Sequence, residues 1–276
     1  MTFLPPHPVV PLMSHARSHW IAVVGGKGGC GKTHVAASLA YSWSTAGDRV
    51  LLVDADLGMG NVEILLGLRP RFDIGDAMEG RCSLEDVVVE GPGGVHVLPA
   101  ASGSHELSTL ATPERLRLVA ALTHLGHAYQ HVILDVGAGI GPLVLFFQGL
   151  AARTLLVTTP EPTALTDAYA FVKVAHRING TNRFQLLVNQ ARNATEAVQA
   201  RKVLEDLALR FLAVQIGDAG AIPFDNAVGQ AVRSQHVVVD ASPTAPASHA
   251  LERLARTLLP QAAVARAPER MPGKAR

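Results

Sequence analysis

Residues 26–33 read GKGGCGKT and directly follow an apolar segment, residues 20–24, that predicts a short β-strand. The frame G-x-x-x-x-G-K-[ST] is typical of a phosphate-binding P-loop, because glycines let backbone N–H groups converge on phosphate oxygens at the start of the next helix. In this frame Lys32 reaches the β- and γ-phosphates, and the Thr33 hydroxyl is a ligand for Mg²⁺. The residues predicted to contact a nucleotide here are Gly26, Lys27, Gly28, Gly29, Cys30, Gly31, Lys32, Thr33 and His34.

Lys27 is a second lysine in a loop that needs only one for phosphate binding. The chain has five lysines against nineteen arginines, and two of the five lie in this one loop. A compact ammonium fits among phosphates more easily than a bulky guanidinium fork. We therefore take both Lys27 and Lys32 as candidate catalytic cations.

The same loop also has the spacing of the dinucleotide fingerprint G-x-G-x-x-G, through Gly26, Gly28 and Gly31. Asp54, at the end of the next strand, would then bind a ribose. However, residues 130–136 read QHVILDV, an apolar strand whose Asp135 suits a Walker B acid in the Mg²⁺ shell. Because the G-K-T ending is more specific than three glycines, and a second phosphate-site element accompanies it, we favour a nucleoside triphosphate.

Length and composition predict one enzyme-sized domain, residues 19–260, between flexible tails at residues 1–18 and 261–276. The net charge of +1 gives no general field for nucleic acid or anionic membrane. Two cysteines provide neither a disulfide framework nor a C-x-x-C metal site, which excludes the iron–sulfur carriers that share this kind of loop. The proline-rich start lacks the basic region of a secretion signal, so we expect a cytoplasmic protein.

Strand and helix patterns alternate along the chain, as a doubly wound α/β fold with a mostly parallel sheet and flanking helices requires. The predicted strands are residues 20–24, 50–53, 95–98, 131–134, 154–158, 184–188 and 221–222. The predicted helices are residues 33–46, 113–128, 142–151, 165–177, 195–210 and 246–259.

Asp54 and Asp56 follow the second predicted strand, and the segment continues as LGMGN. We expect these two acids, which are separated by one residue, to point in different directions. One can therefore face the P-loop and Mg²⁺, while the other faces the γ-phosphate and an attacking water. The alternative is a loop that only exposes two charges to solvent, but Gly58 and Gly60 favour a segment that moves.

Three of these segments together resemble one known family. KGGCGKT at residues 27–33, LLVDADLGMGNVEILLG at 51–67 and LDVGAG at 134–139 are similar to the deviant-Walker-A ATPases of the MinD/ParA family. Segments 80–103, 157–173 and 222–232 further resemble the flagellar-number regulators of that family, the FlhG (FleN) type. The resemblance extends from about residue 21 to residue 259, which is nearly the whole predicted domain.

The resemblance implies a switch that dimerises when ATP is bound, with Mg²⁺ as cofactor. Two subunits would enclose two nucleotides, and Lys27 of each would reach the phosphates held by the other. Asp56 would position the hydrolytic water, whereas Asp54 and Asp135 would order the magnesium shell together with Thr33. The expected enzyme is a slow, partner-stimulated ATPase.

The resemblance also assigns the base site. Asn189 matches the asparagine that reads the adenine edge, and Pro223 lies in the turn that packs beside the base. An amide at the carboxyl end of a strand is well suited to hydrogen-bond adenine. A turn-forming role for Asn189 before Gln190 is the alternative.

The family also suggests partners: a GTPase of the FlhF type, a flagellar transcription regulator, or a component of the basal body or export apparatus. Relatives that stimulate the GTPase commonly begin with D-Q-A-x-x-L-R, and residues 1–19 contain no such element. MinD-type proteins end in a basic amphipathic helix, whereas prolines interrupt residues 260–276. We expect the leucine stripe of residues 251–259 to pack in the core, with any contact at the membrane or cell pole transient.

Three functions remain open from the sequence. The first is an ATPase switch for the number or placement of flagella or a related secretion apparatus. The second is a partitioning or positioning ATPase, although the low net charge makes DNA an unfavoured partner. The third is an interaction module in which the nucleotide only shapes the dimer. The candidate DNA-contacting residues are Arg177, Arg183, Arg192, Arg201 and Arg210.

Overall fold

The computed structural model describes residues 19–100 and 112–259, so both predicted tails lie outside the described residues. The described strands form one eight-stranded sheet in the order β3-β4-β2-β5-β1-β6-β7-β8. Their bounds are β1 Trp20–Gly25, β2 Val50–Ala55, β3 Val89–Glu90, β4 His96–Leu98, β5 His131–Ala138, β6 Arg153–Thr158, β7 Phe184–Ala191 and β8 Ile216–Pro223.

All neighbouring strands are parallel except β3, which pairs antiparallel with β4 at the edge of the sheet. The chain leaves β1 for β2 on one side, yet β6 pairs with β1 on the other side. This reversal of direction opens a crevice at the carboxyl end of β1, where ligands bind in open α/β sheets. The prediction of a mostly parallel, doubly wound sheet is confirmed.

Helices cover both faces of the sheet, and successive residues of β1 alternate between the two cores. The helix bounds are α1 Lys32–Thr45, α2 Val62–Leu65, α3 Ile74–Met78, α4 Leu84–Val87, α5 Thr112–Gly126, α6 Pro142–Leu150, α7 Pro162–Asn179, α8 Ala194–Leu212, α9 Asn226–Arg233, α10 Val238–Ala241 and α11 Pro246–Leu258. Trp20, Ala22 and Val24 face the core beneath α5 to α8, whereas Ile21 and Val23 face the core beneath α1 and α11.

The leucine stripe near the end of the described chain packs inward as predicted. Leu251, Leu254 and Leu258 of α11 are buried against α1 and the sheet. Among residues 19–100 and 112–259, no helix has both the length and the apolar character to cross a bilayer.

The structure differs from the prediction at several strands, and β5 and β7 extend further than predicted, to Ala138 and Ala191. The strand predicted at residues 221–222 is the end of an eight-residue strand, β8, whose earlier part contains Gly217, Asp218 and Gly220. The edge strand β3 was not predicted, because two residues give no periodicity to read.

Candidate active site

The P-loop connects β1 to α1 at the crevice and packs closely on its neighbours. A Cβ added at Gly26 would collide with the backbone of Asp167 in α7, and one added at Gly31 would collide with the Asn189 amide. By contrast, a Cβ at Gly28 would meet no atom within 4 Å. Glycines thus serve two purposes here: some admit a close neighbour, and others leave the mouth of the loop open.

Asp135, in the second half of β5, lies beside the first residues of α1. Burial raises the pKa of Asp135 to about 6, while the Thr33 side chain and the Lys32 charge act to lower it. The carboxylate is 3% exposed, and its Oδ1 atom has no hydrogen-bond partner among the described residues. A buried acceptor without a partner, beside a hydroxyl and an ammonium, fits a divalent cation coordinated by oxygen.

Asp54 holds the segment that follows β2. Its Oδ1 accepts the Asp56 N–H at 3.1 Å, and its Oδ2 accepts the N–H groups of Asn61 and Val62 at 2.9 and 3.0 Å. The side chain is fully buried. Both oxygens are therefore occupied by the backbone of residues 56–62, and the predicted role of Asp54 in the metal shell stays a prediction.

Asp56 is half-buried and lies one residue beyond the end of β2, which ends at Ala55. Strand alternation would place residues 54 and 56 on the same face, so it does not account for the different contacts of the two carboxylates. The Asp56 carboxylate lies against the last residues of β5, where a Cβ added at Gly137 would approach Asp56 Cγ to 3.1 Å. The negative charge of Asp56 also acts to raise the pKa of Asp135. The two acids thus converge from β2 and β5, with Asp135 deeper and Asp56 nearer to solvent.

The raised pKa of Asp54 predicts a pH dependence of stability in the nucleotide-free chain. Burial and the Asp135 charge raise it from 3.8 to about 8, so the folded state binds one more proton than the unfolded state between these values. The free energy of unfolding should fall by up to about 1.4 kcal/mol per pH unit from about pH 6.5 to 8, and then level off.

Urea denaturation at several pH values measures this slope, and Asp54→Asn should flatten it. The pH range of the measurement starts at about 6.5 because three buried histidines, His19, His34 and His131, affect stability below it. Burial lowers the pKa of each, so their titration makes the free energy of unfolding rise with pH. A slope that survives Asp54→Asn would place the extra proton on another group.

Lys27 forms an ion pair within the same chain. Its Nζ lies 3.1 Å from Glu161 Oε2 and 3.5 Å from Thr163 Oγ1, at the start of α7. Both charged side chains are largely exposed. Because an exposed ion pair contributes at most about 1 kcal/mol, Lys27 can leave it for a more favourable anion such as a phosphate.

A cavity of about 410 Å³ lies beside the P-loop, between α1, the ends of β7 and β8, and α9. Asn189, Pro223 and His34 all contribute to its wall, as does Gly31 of the loop. Asn189 donates from Nδ2 to the Cys30 carbonyl at 2.8 Å. The predicted base-binding residues are therefore brought together, although their contact with a base stays a prediction.

His34 and Cys30 are neutral in this environment. Burial lowers the pKa of His34 to about 4, and its Nε2 accepts the Val238 N–H at 3.4 Å, which joins α1 to α10. Burial likewise raises the pKa of the Cys30 thiol. Neither side chain adds charge to a site that already contains two lysines.

The arrangement can be compared with that of known proteins. A family model described as the CobQ/CobB/MinD/ParA nucleotide binding domain matches residues 21–239. Antiactivator FleN of Pseudomonas aeruginosa is 42% identical over 236 residues, which cover 86% of this chain and 84% of FleN. The chain belongs to the MinD/ParA family.

Further relatives also match most of this chain. The flagellum site-determining protein YlxH of Helicobacter pylori is 29% identical over 87% of this chain and 81% of its own length. The MinC:MinD cell division protein complex of Aquifex aeolicus gives a TM-score of 0.70 at 28% identity, covering 87% of this chain and 95% of that one. MinD of Pyrococcus horikoshii, at 23% identity and a TM-score of 0.73, covers 89% and 98% and shows the shared fold. The MinD/ParA resemblance read from the motifs is confirmed.

Several residues of this MinD/ParA domain escaped sequence reasoning. Helix α9 forms a wall of the cavity through Gln230 and Arg233, and Gln190 contacts the P-loop. Glu161 and Thr163 hold Lys27 although they lie far away in sequence. The resemblance pointed to the segments around them, but no residue pattern showed that these side chains touch the P-loop.

Proposed function

We propose that this MinD/ParA domain is a Mg²⁺-dependent ATPase that dimerises in its ATP-bound state and controls the number or placement of flagella. One observation carries the proposal: the unpartnered Oδ1 of buried Asp135 lies where Thr33 and Lys32 begin the helix after the P-loop. A triphosphate would bring a Mg²⁺ ion for the unpartnered Asp135 oxygen and negative charge for the lysine and the N–H groups of the loop.

Each residue would have a separate task in the bound state. The N–H groups of residues 26–33 and the Lys32 ammonium would hold the phosphates, while Thr33 and Asp135 would bind Mg²⁺. A bound Mg²⁺ would neutralise the charge that develops on the β- and γ-phosphates. Asp54 would act on that shell mainly by fixing the segment of residues 56–62 through its three backbone bonds.

Asp56 would orient the attacking water. It lies two residues after the fixed Asp54, and Gly137 leaves room for its carboxylate beside β5. A carboxylate held near the γ-phosphate can accept a hydrogen bond from water and aim its oxygen. The base would occupy the cavity next to Asn189 and Pro223.

We further propose that Lys27 acts on the nucleotide of a second copy, which makes dimerisation depend on the γ-phosphate. In the described chain Lys27 forms an ion pair with Glu161 at the mouth of the loop. Because this pair is exposed to solvent, it holds Lys27 only weakly. A ligand shifts a monomer–dimer equilibrium only by its difference in affinity for the two states. A cation supplied by the partner provides that difference.

Lys27→Ala should therefore remain monomeric under conditions in which the native chain dimerises. Light scattering after size exclusion, with Mg²⁺ and either a non-hydrolysable ATP analogue or ADP, measures this. Lys173→Ala is the matched control, because Lys173 is an exposed lysine on α7. Equal dimerisation of all three proteins with both nucleotides would contradict the switch and favour an interaction module.

The flagellar role rests on two relatives named as the antiactivator FleN and the flagellum site-determining protein YlxH. We propose a flagellar transcription regulator as the first partner to test, because antiactivation requires an activator. An FlhF-type GTPase and a basal-body or export component are the other candidates. The domain would act in the cytoplasm and transiently at the pole.

Complementation tests this role directly. The chain is expressed in Pseudomonas aeruginosa cells that lack FleN, and flagella are counted by electron microscopy. We expect the native chain to restore the normal number, and Lys32→Ala to fail at equal protein level. If the native chain binds and hydrolyses ATP but leaves the number unchanged, a MinD-like positioning role in another system replaces the flagellar one.

A further inference from the structure

Two neighbouring side chains at the end of β7 hold two consecutive carbonyls of the P-loop. Asn189 Nδ2 donates to the Cys30 carbonyl at 2.8 Å, and Gln190 Nε2 donates to the Gly29 carbonyl at 3.3 Å. A trans peptide unit is planar, and its C=O and N–H point in opposite directions. Fixing these carbonyls toward β7 therefore directs the N–H groups of Cys30 and Gly31 away from β7.

The backbone at Gln190 has an unusual conformation. Its φ is 59°, in the left-handed region, and only two other non-glycine residues of the described chain, Ala213 and Gln235, have positive φ. The pairing of β7 with β8 shifts register between Val188 and Ala191, so the strand is irregular at this point. Strained residues on such irregularities are characteristic of functional sites.

A glycine would adopt this backbone conformation most easily, but it has no side chain to reach the loop. The neighbouring Asn189 reinforces the conformation, because its Oδ1 accepts the Gln190 N–H at 2.9 Å. Gln190 thus combines an unfavourable backbone conformation with a side-chain amide that donates to the Gly29 carbonyl. This combination indicates that its side chain, and not its backbone, is what the site requires.

We propose that Gln190 is a positioning residue for phosphate binding. By holding the Gly29 carbonyl, it keeps the Cys30 N–H turned toward the phosphates. This inference rests on the proposed ATP binding and names a residue through which the end of β7 supports it. The neighbouring residue Asn189, which lines the cavity of the predicted base site, likewise donates to the loop.

Gln190→Gly is the informative substitution, because it relaxes the backbone while it removes the donor. We expect the melting temperature to stay equal or to rise, whereas the Kd values for Mg-ATP and Mg-ADP rise about tenfold, the effect of one hydrogen bond. Calorimetry with purified full chain measures both. Adenosine, which has no phosphate, is the internal reference, and its weak binding followed by NMR should be unchanged.

Two further variants complete the test. Ala213→Gly relaxes a left-handed residue at the end of α8, remote from the loop, and should leave all Kd values unchanged. Gln190→Asn tolerates the left-handed backbone but is one methylene shorter, so it should lose affinity as Gln190→Gly does. This variant also decides the matter if Gln190→Gly fails to fold.

The outcomes separate the inference from the function on which it rests. A native chain that binds no ATP overturns the proposed function itself. If the native chain binds ATP and both Gln190 variants bind it equally well, only the positioning role is overturned. Equal losses of affinity in Ala213→Gly and Gln190→Gly would also overturn it, because they would reflect general loosening.

Discussion

Asp56→Ala should keep ATP bound and lower ATP turnover by about 10²–10⁴-fold, the range that correctly placed acid–base and positioning groups contribute. The carboxylate lies beside Gly137, and Asp54 bonds only backbone N–H groups of the loop, so removal of the Asp56 side chain leaves those bonds in place. Because ATP then persists, the dimer should accumulate. Turnover is followed by phosphate release, and assembly by light scattering.

Two controls accompany this variant. Asp56→Asn keeps the shape of the side chain and removes its charge, so it should lose turnover while the loop stays native. Asp206→Ala removes an exposed aspartate from α8 and should hydrolyse ATP normally. Normal hydrolysis by Asp56→Ala would transfer the role elsewhere, and Asp54 would be the nearest acid to test.

Lys32→Ala should raise the Kd for Mg-ATP by about a hundredfold or more, because charge-assisted bonds to two phosphates are lost together. Lys32 is the first residue of α1, beside the Asp135 carboxylate. Without the Lys32 ammonium, no positive charge from this residue would offset the repulsion between the phosphates and the carboxylates of Asp56 and Asp135. Calorimetry in the presence of Mg²⁺ measures the change.

Lys173→Ala serves again as the matched control and should bind ATP as the native chain does. A melting curve of Lys32→Ala without nucleotide confirms that the fold is retained. Native affinity in Lys32→Ala would overturn the assignment of residues 26–33 as a phosphate-binding loop.

The sequence was sufficient for those features that depend on local pattern. The P-loop, the strand with Asp135 and the buried strands of the sheet each have a characteristic spacing or an apolar run. The long helices were likewise predicted to within a few residues. These elements fix the sheet and so place Asp54, Asp135 and Asn189 toward the carboxyl ends of their strands.

The short helices could not be predicted in this way. Helices α2, α3 and α4 have four or five residues each, which is barely one turn and too short for a 3.6-residue period to show. The capping boxes of Asp73–Asp76 and Ser83–Asp86 were the only local signals of α3 and α4. Helix α9 was missed although it borders the cavity.

Contacts between distant segments were also beyond the sequence. The pair of Lys27 with Glu161 joins residues 134 positions apart, and nothing in the composition of either segment specifies it. Asp54 illustrates a second limit: strand alternation alone would place it on the same face as Asp56, and the three amides that surround it depend on the path of residues 56–62. Its role in the metal shell was predicted from the resemblance and stays a prediction, whereas its bonds to the loop are seen only in the structure.

The close approach of Gly26 to α7 limits how this chain can vary over evolution. Any side chain at Gly26 would push back the backbone at Asp167, and with it the helix that begins beside Glu161 and Thr163. Gly28, with open space around it, has no such restriction in the folded chain. Mutations at Gly26 should therefore survive only together with compensating changes in α7. Gly26 and α7 should thus change together during evolution, although they lie far apart in the sequence. A protein engineer who transfers this loop to another protein must transfer α7 with it.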